Sequence, residues 1–456
     1  MSASALARRS LSVFSVIALT AAAVGAIVSP PPLMQDDDAQ PTTPAAATSA
    51  NYIRIIDGKD TQSMTLQIAV RTLKKADGTG PVIHLAGAVH IADKAFYEAC
   101  QNFLDPHDVV LYEGVRPPGA RDLPADASDE TREKITRRRV EFLTTLLSRY
   151  AGKHNRLPAS LAEVADGNAR VDRIAQGMMS DGWGRPLTYT PTPTATAQPD
   201  AKPDGAPAAA RTALGAIITS DGPSTSTADD NIVFTQSITP NKAAEPEGIQ
   251  KQLADALGLE FQLDHVNTSK PNWRNSDMSA DEVAERIEAN GGDPGMLLNT
   301  LSGQSLGARA MGLMLRLIGM SKTMSTTVKV MMVEVLASSD TMLDQAARSG
   351  TGPMAAMAPM MKVILHDRNE VVMNDIARII RDEPAVRSIA AFYGAGHMAG
   401  LETELVSRLG LTFVEERWID AITVDFKAAG MSAVDAQRMR EMVRRQMQSV
   451  REGPRR

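Results

Sequence analysis

The first patterned stretch of the chain alternates. Leu66, Ile68 and Val70 recur at every second position within Thr65 to Leu73, and Ile53 to Ile56 precedes them across Asp57-Gly58, which predicts a β-hairpin. After a turn at Ala76 to Gly80, Val82-Ile83-His84-Leu85-Ala86 forms a short apolar run suited to a buried strand, ending at Gly87-Ala88-Val89-His90. The period then becomes helical over Ala92 to Phe103, with Ala95, Phe96, Ala99 and Phe103 on one face. Pro106-His107-Asp108 breaks that helix before a second apolar run, Val109 to Tyr112. Strand, helix and strand in that order predict a βαβ unit with parallel strands.

A charged helix is predicted over Asp129 to Tyr150, and beyond it the composition shifts to small and polar residues with frequent turn signals. Helical spacing returns from Glu247, where Ile249, Leu253, Leu257 and Leu259 share a face, and Ser279-Ala280-Asp281-Glu282 reads as a capping box. Between Leu306 and Leu336 methionines recur at helical spacing, among them Met311, Met314, Met320, Met324, Met331 and Met332. Arg316, Lys322 and Lys329 exclude a membrane span there, so the stripe reads as core or lid packing. A last buried strand, Ser388 to Tyr393, ends at Gly394-Ala395-Gly396-His397; a helix is expected over Leu401 to Leu409 and a short strand near Thr412 to Val414. Ser432 to Val450 carries Met439, Val443, Met447 and Val450 on one side and Arg438, Arg440, Arg444 and Arg445 elsewhere. Such a helix either docks on its own domain or meets a membrane surface or partner.

Composition narrows the class. With 43% hydrophobic residues in 456, the chain can bury a large core, which excludes disorder throughout. Its 48 basic and 54 acidic residues leave a net charge of −6 without a basic block, so no nucleic-acid footprint exists. Cys100 is the only cysteine, which removes disulfides and cysteine-built metal sites; any metal must be held by histidine and carboxylate. At the N-terminus, Arg8 and Arg9 precede an apolar run from Leu11 to Val28 with Ala23, Gly25 and Ala26 near its end. This is the layout of a secretory signal or an N-terminal anchor over 1–28, implying an exported protein that is periplasmic, extracellular or membrane-anchored. Residues 29–50, rich in Pro, Thr, Ala and Asp, read as a disordered tether.

Two Gly-x-x-His patterns, Gly87 to His90 and Gly394 to His397, each follow an apolar strand and precede a helix. In an open α/β sheet the carboxyl ends of parallel strands line the ligand crevice, so both imidazoles are expected at one edge. Glu113, at the end of the next predicted strand, returns to the same edge. Two histidines and a carboxylate suit a divalent metal with positions left open for water and substrate. Gly87 and Gly394 are expected to allow a tight turn and close backbone approach beside any bound group. His84, His107, His154, His265 and His366 sit in strand, solvated or helical contexts that suit structural roles.

These motifs, with Leu-Tyr-Glu-Gly at Leu111 to Gly114, Arg368-Asn369, and the segment Gly258 to Gln262 through Trp273 and Asp277-Met278-Ser279, resemble the TraB/PrgY/GumN family, which includes the TIKI proteases. The resemblance covers about residues 51–130 and 240–424. It implies a central, mostly parallel sheet with flanking helices and a metal-dependent hydrolase acting on peptides or small esters. His90, Glu113 and His397 would be the metal or catalytic set, with manganese or cobalt as in TIKI members, and with zinc or iron also open. The resemblance further implies that Arg368 stabilises an oxyanion or holds a substrate carboxylate, and it makes Asp277 a supporting residue.

Leu157-Pro158-Ala159-Ser160-Leu161, the Asp181-Gly182-Trp183-Gly184-Arg185-Pro186 turn and the stretch ending Asp229-Asp230-Asn231-Ile232 resemble the C-terminal region of the type II secretion major pseudopilin. That resemblance implies an inserted small α+β module and makes Asp221, Asp229 and Asp230 candidate calcium donors. The resulting division is 1–28 signal or anchor, 29–50 linker, 51–135 first part of the α/β domain, 136–235 insert, 236–424 second part and 425–456 basic amphipathic helix. The competing function is a non-catalytic envelope protein whose insert contacts a partner. A haem carrier is disfavoured, because few aromatics flank the histidines.

Overall fold

The computed structural model describes residues 51–58, 62–192, 214–224, 229–240, 249–293, 314–315, 318–338 and 360–452. The signal and tether, the Pro/Thr/Ala tract and much of the methionine stripe, including Met311, lie outside the described residues.

In chain order the elements begin with β1 (Ile53–Asp57), β2 (Ser63–Lys75), β3 (Val82–Ala88), β4 (Ile91–Ala92), α1 (Lys94–Leu104) and β5 (Val109–Tyr112). There follow α2 (Asp129–His154), α3 (Ala169–Met178), β6 (Thr188–Thr192), β7 (Leu214–Ser220) and β8 (Ile232–Ile238). Next are α4 (Ile249–Leu257), β9 (Glu260–Phe261), α5 (Gln262–His265), β10 (Trp273–Asn275), α6 (Ala280–Ala289) and α7 (Lys322–Ala337). The chain closes with α8 (Arg368–Asp382), β11 (Ser388–Gly394), α9 (Ala395–Leu409), β12 (Leu411–Asp425) and α10 (Ala433–Glu452). Two compact units result: Val115–Pro246 with Met278–Glu285, and the described residues up to Gly114 with Glu247–Asp277 and Arg286–Arg456.

The second of these units is mixed α/β. Its sheet runs β1-β2-β3-β11-β5-β10, with β12 also on β2. β3, β11, β5 and β10 are parallel, while β1, β2 and β12 pair antiparallel. The predicted βαβ unit, β3-α1-β5, is present, but β11 lies between its two strands and pairs with both. The second Gly-x-x-His strand is thereby placed directly beside the first. Successive residues on each strand face opposite cores, as period-two geometry requires. Ile68, Val70, Ala86, Val110, Ala390 and Phe392 face one core with α1, α4, α7 and α10. Ala69, Leu85, Leu111, Ala391 and Tyr393 face the other with α8 and α9. The predicted hairpin forms with Ile53 opposite Ile68 and Gly58 donating to the Ser63 carbonyl.

Three expectations change. The short strand near Thr412 is a 15-residue strand that follows β2 along its whole length, with register shifts at Phe413/Glu415 and Asp420/Ile422. Those shifts break the alternation by which a strand is recognised. The helix expected from Leu401 begins at Ala395, so His397 lies inside its first turn instead of in a loop before it. Gly87 makes no turn: it is a β3 residue, and a Cβ there would come within 2.6 Å of Ile68 Cγ2 and 3.3 Å of the Ala69 carbonyl oxygen. The need for glycine there is the close packing of β2.

The other unit holds helices α2 and α3 and a three-stranded antiparallel sheet, β6-β7-β8, around its own core. Ser128 caps α2 by accepting from Thr131 N, and Asn155 in a left-handed conformation ends it. Buried Asp181 pins the Trp-Gly turn, accepting from Trp183 N and Arg185 N through Oδ1 and from Ser220 Oγ through Oδ2. Among the described residues no helix is long and apolar enough to cross a membrane.

Candidate metal and catalytic site

Four parallel strands deliver the site residues from their carboxyl ends. His90 follows β3 and leads into β4, whose antiparallel pairing with β9 sets Ile91 opposite Phe261. The next residue, Gln262, is thus held against His90: its backbone N donates to the His90 carbonyl, and its Oε1 lies 3.0 Å from His90 Nδ1.

Glu113 extends the β5-β11 pairing by one bond, donating from its backbone N to the Phe392 carbonyl. Its Oε2 accepts from Gly394 N at 2.6 Å and its Oε1 from Arg368 at 2.7 Å. Asp277 follows β10, where Asn275 donates to the Gly114 carbonyl and Asp277 Oδ2 accepts from Gly114 N. Arg368 reaches Asp277 with two bonds, Nε to Oδ1 at 2.8 Å and a terminal nitrogen to Oδ2 at 2.6 Å. It opens α8 after a π-helical turn, Lys362–Asp367. Asp367, Arg368 and Asn369 are all buried where the π turn meets α8. Asp277 and Glu113 are thus the carboxylate partners of Arg368, while Glu370 pairs with Arg408.

His397, in the first turn of α9, has Nδ1 2.7 Å from Asn369 Oδ1 and Nε2 3.8 Å from Glu113 Oε1. The two imidazoles match: each has Nδ1 against a side-chain amide oxygen, and neither buried Nε2 has a hydrogen-bond partner among the described residues.

The electrostatics follow from burial and pairing. Burial lowers the pKa of both histidines, with Glu113 pulling the other way; His397 is pushed down to about 4. Burial also opposes charge on Glu113, but Arg368 and the two imidazoles outweigh it and hold the carboxyl well below the usual range. Burial would lower Arg368, yet Asp277 and Glu113 raise it further above its ordinary value. One guanidinium between two carboxylates leaves one negative charge beside two imidazoles kept neutral. A lone-pair nitrogen that is buried and unpartnered is costly unless a cation or proton donor meets it.

The orphaned nitrogens fit a metal-binding pair. The three donors of His90, Glu113 and His397 do not all lie within 4.8 Å of one another, however; His397 Nε2 and Glu113 Oε1 are 3.8 Å apart, so the wider separation involves His90. Among the described residues the group that meets that distance is His366, Glu370 and Glu404 on the surface, where Arg408 already pairs both carboxylates. Asp221, Asp229 and Asp230 do not gather in this way; Asp230 instead accepts from Ser224 N. Gly394 N is committed to Glu113, and Gly87 to packing. The remaining histidines have structural partners: His84 meets Thr72, His107 the Leu104 carbonyl, His154 Asp166 and His265 Glu260.

Sequence reasoning gave Gln262 and Asn369 no role, although Arg368-Asn369 and the stretch ending at Gln262 were part of the family resemblance. Amide side chains carry no distinctive spacing, and only the fold brings them to the histidines. When the chain was compared with protein-family models, curated proteins and solved structures, nothing matched.

Proposed function

We propose that this chain is an exported TraB/GumN-like metal-dependent hydrolase acting on peptides or small esters, whose centre is formed by His90, His397 and Glu113. The observation that carries the reading is the pair of buried Nε2 atoms without hydrogen-bond partners among the described residues, beside a site with one uncompensated negative charge. His90 and His397 would hold the metal, with Glu113 either a third ligand or the general base. A bound divalent ion would acidify its water and polarise a carbonyl. Glu113, kept ionised by Arg368, offers a permanent negative charge to a bound cation, and its lowered pKa favours the ligand role over that of general base. Arg368 holds Glu113 and Asp277 in place, a positioning role that replaces the direct substrate contact expected of it.

Elemental mass spectrometry on protein lacking residues 1–50 tests this reading. Near-stoichiometric manganese, cobalt, zinc or iron, lost in His90→Ala and His397→Ala with circular dichroism unchanged, is the expected result. Protein that stays metal-free after incubation with each ion overturns it.

The second reading, an envelope binding or assembly protein, draws support from helices α2 and α3 and the three-stranded sheet with a separate core, an α+β layout consistent with a pseudopilin-like module. It predicts that deleting residues 136–235 abolishes function while metal is irrelevant.

A further inference from the structure

We infer that Asn369 and Gln262 are positioning residues that hold His397 and His90 with the proton on Nδ1, so that both Nε2 lone pairs face the site, and that Gly400 is glycine to leave room for Asn369. The inference rests on the proposed centre for its purpose but not for its geometry.

The Asn369 amide has two bonds, and together they fix which way it points. Its Nδ2 donates to the backbone carbonyl of His397 at 3.3 Å, so Oδ1 is the atom that faces His397 Nδ1 at 2.7 Å. An oxygen there can only accept, and the ring nitrogen must carry the proton. Which ring nitrogen is protonated is set by the hydrogen bond the other one makes. Neutral histidine free in water favours the opposite form, with the proton on Nε2. The Asn369 acceptor therefore works against the intrinsic preference and directs the lone pair of Nε2 inward.

Gly400 lies one helical turn after His397 on α9, and a Cβ built on it would stand 2.8 Å from Asn369 Nδ2. A contact that short forces the amide away from the His397 carbonyl. The glycine in His397-Met398-Ala399-Gly400 thus has a steric reason tied to the histidine's orientation. Gln262 supplies the same acceptor to His90, held by its backbone bond to the His90 carbonyl. Two amides from unrelated segments, one on α8 and one on α5, converge on the same treatment of the two imidazoles that remain unpartnered at Nε2.

The test is two-bond nitrogen-proton NMR of the histidine rings in metal-free protein, with His90→Gln and His397→Gln variants assigning the signals. We expect both rings to be protonated on Nδ1. Asn369→Leu should populate the Nε2-protonated form of His397, Gly400→Ala should do so in part, and Asn369→Asp, which keeps the acceptor, should restore the wild-type form. Cobalt titrated into the same proteins should bind about 10- to 100-fold more weakly to Asn369→Leu, the usual cost of removing a residue that orients a ligand, and with near wild-type affinity to Asn369→Asp. A wild-type His397 protonated on Nε2, or one unmoved by Asn369→Leu in a folded variant, overturns the inference. Correct protonation with no cobalt bound overturns the metal reading and leaves this one standing.

Discussion

Arg368 grips Asp277 through two parallel hydrogen bonds with both side chains almost fully buried, and the same guanidinium holds Glu113. Charge in this site is therefore organised around an internal ion triad instead of around a substrate anion. Removing one member of a buried pair leaves the other desolvated and unpaired, which typically costs about 3–5 kcal/mol. Arg368→Ala should lose about that much stability in urea unfolding, since it strands two carboxylates. A loss below about 1 kcal/mol would show that the carboxylates are hydrated, against the burial described here.

Gly87 offers a cleaner test of packing. Its alanine variant would drive a Cβ to within 2.6 Å of Ile68 Cγ2, and overpacking of this kind costs about 1–3 kcal/mol. Ile68→Leu removes the offending methyl, so Gly87→Ala with Ile68→Leu should be more stable than the two separate losses predict. Strict additivity in a double-mutant cycle would place the strain elsewhere.

His84 gives a pH prediction at the opposite end of β3 from His90. Its ring is 3.1 Å from Thr72 Oγ1, 4.4 Å from the His107 ring and 5.6 Å from Phe103, over which Arg417 sits. Burial, with His107 adding to it, lowers its pKa to about 4. The unfolded chain therefore takes up a proton below about pH 6.5 that the folded chain refuses until about pH 4. Stability should be full above that window and fall as pH drops through it. His84→Leu should flatten this part of the melting-temperature profile; an unchanged slope would assign it to other groups.

What the sequence makes legible follows from how local each signal is. β2, β3, β5 and β11 are readable because their side chains alternate or form unbroken apolar runs, and His90, Glu113 and His397 follow from lying at the ends of such strands. β12 is hidden by Glu415, Glu416 and Arg417 on its exposed stretch and by two register shifts. The burial of Arg368 and its pairing with Asp277 cannot be read from sequence, because no hydrophobic period announces a buried Asp367-Arg368-Asn369 run beside a π turn. The order of the sheet is equally non-local: nothing near Ser388 reveals that β11 pairs with both β3 and β5.

The C-terminal helix was open to several partners on sequence alone, and its contacts rank its residues. Ala436 and Met439 are buried in the core that includes Val330 and Val333 of α7, and Val443 is buried as well. Glu334, with its side chain 5% exposed, receives Arg440 Nε at 3.3 Å and Arg444 Nε at 3.0 Å. Arg440 also pairs with Asp57, whereas Arg444 is 55% exposed. Ala436, Met439 and Val443 of α10 are thus already in use within the chain. Met439→Ala should cost about 2–5 kcal/mol, as core truncations do. Arg440→Ala should cost less, because Arg444 still neutralises Glu334, and Arg444→Ala should cost no more than about 1 kcal/mol, as exposed pairs do. Urea unfolding of the three variants checks the order. If Met439→Ala leaves stability unchanged and instead weakens binding to anionic vesicles, the helix serves a membrane surface and not its own core.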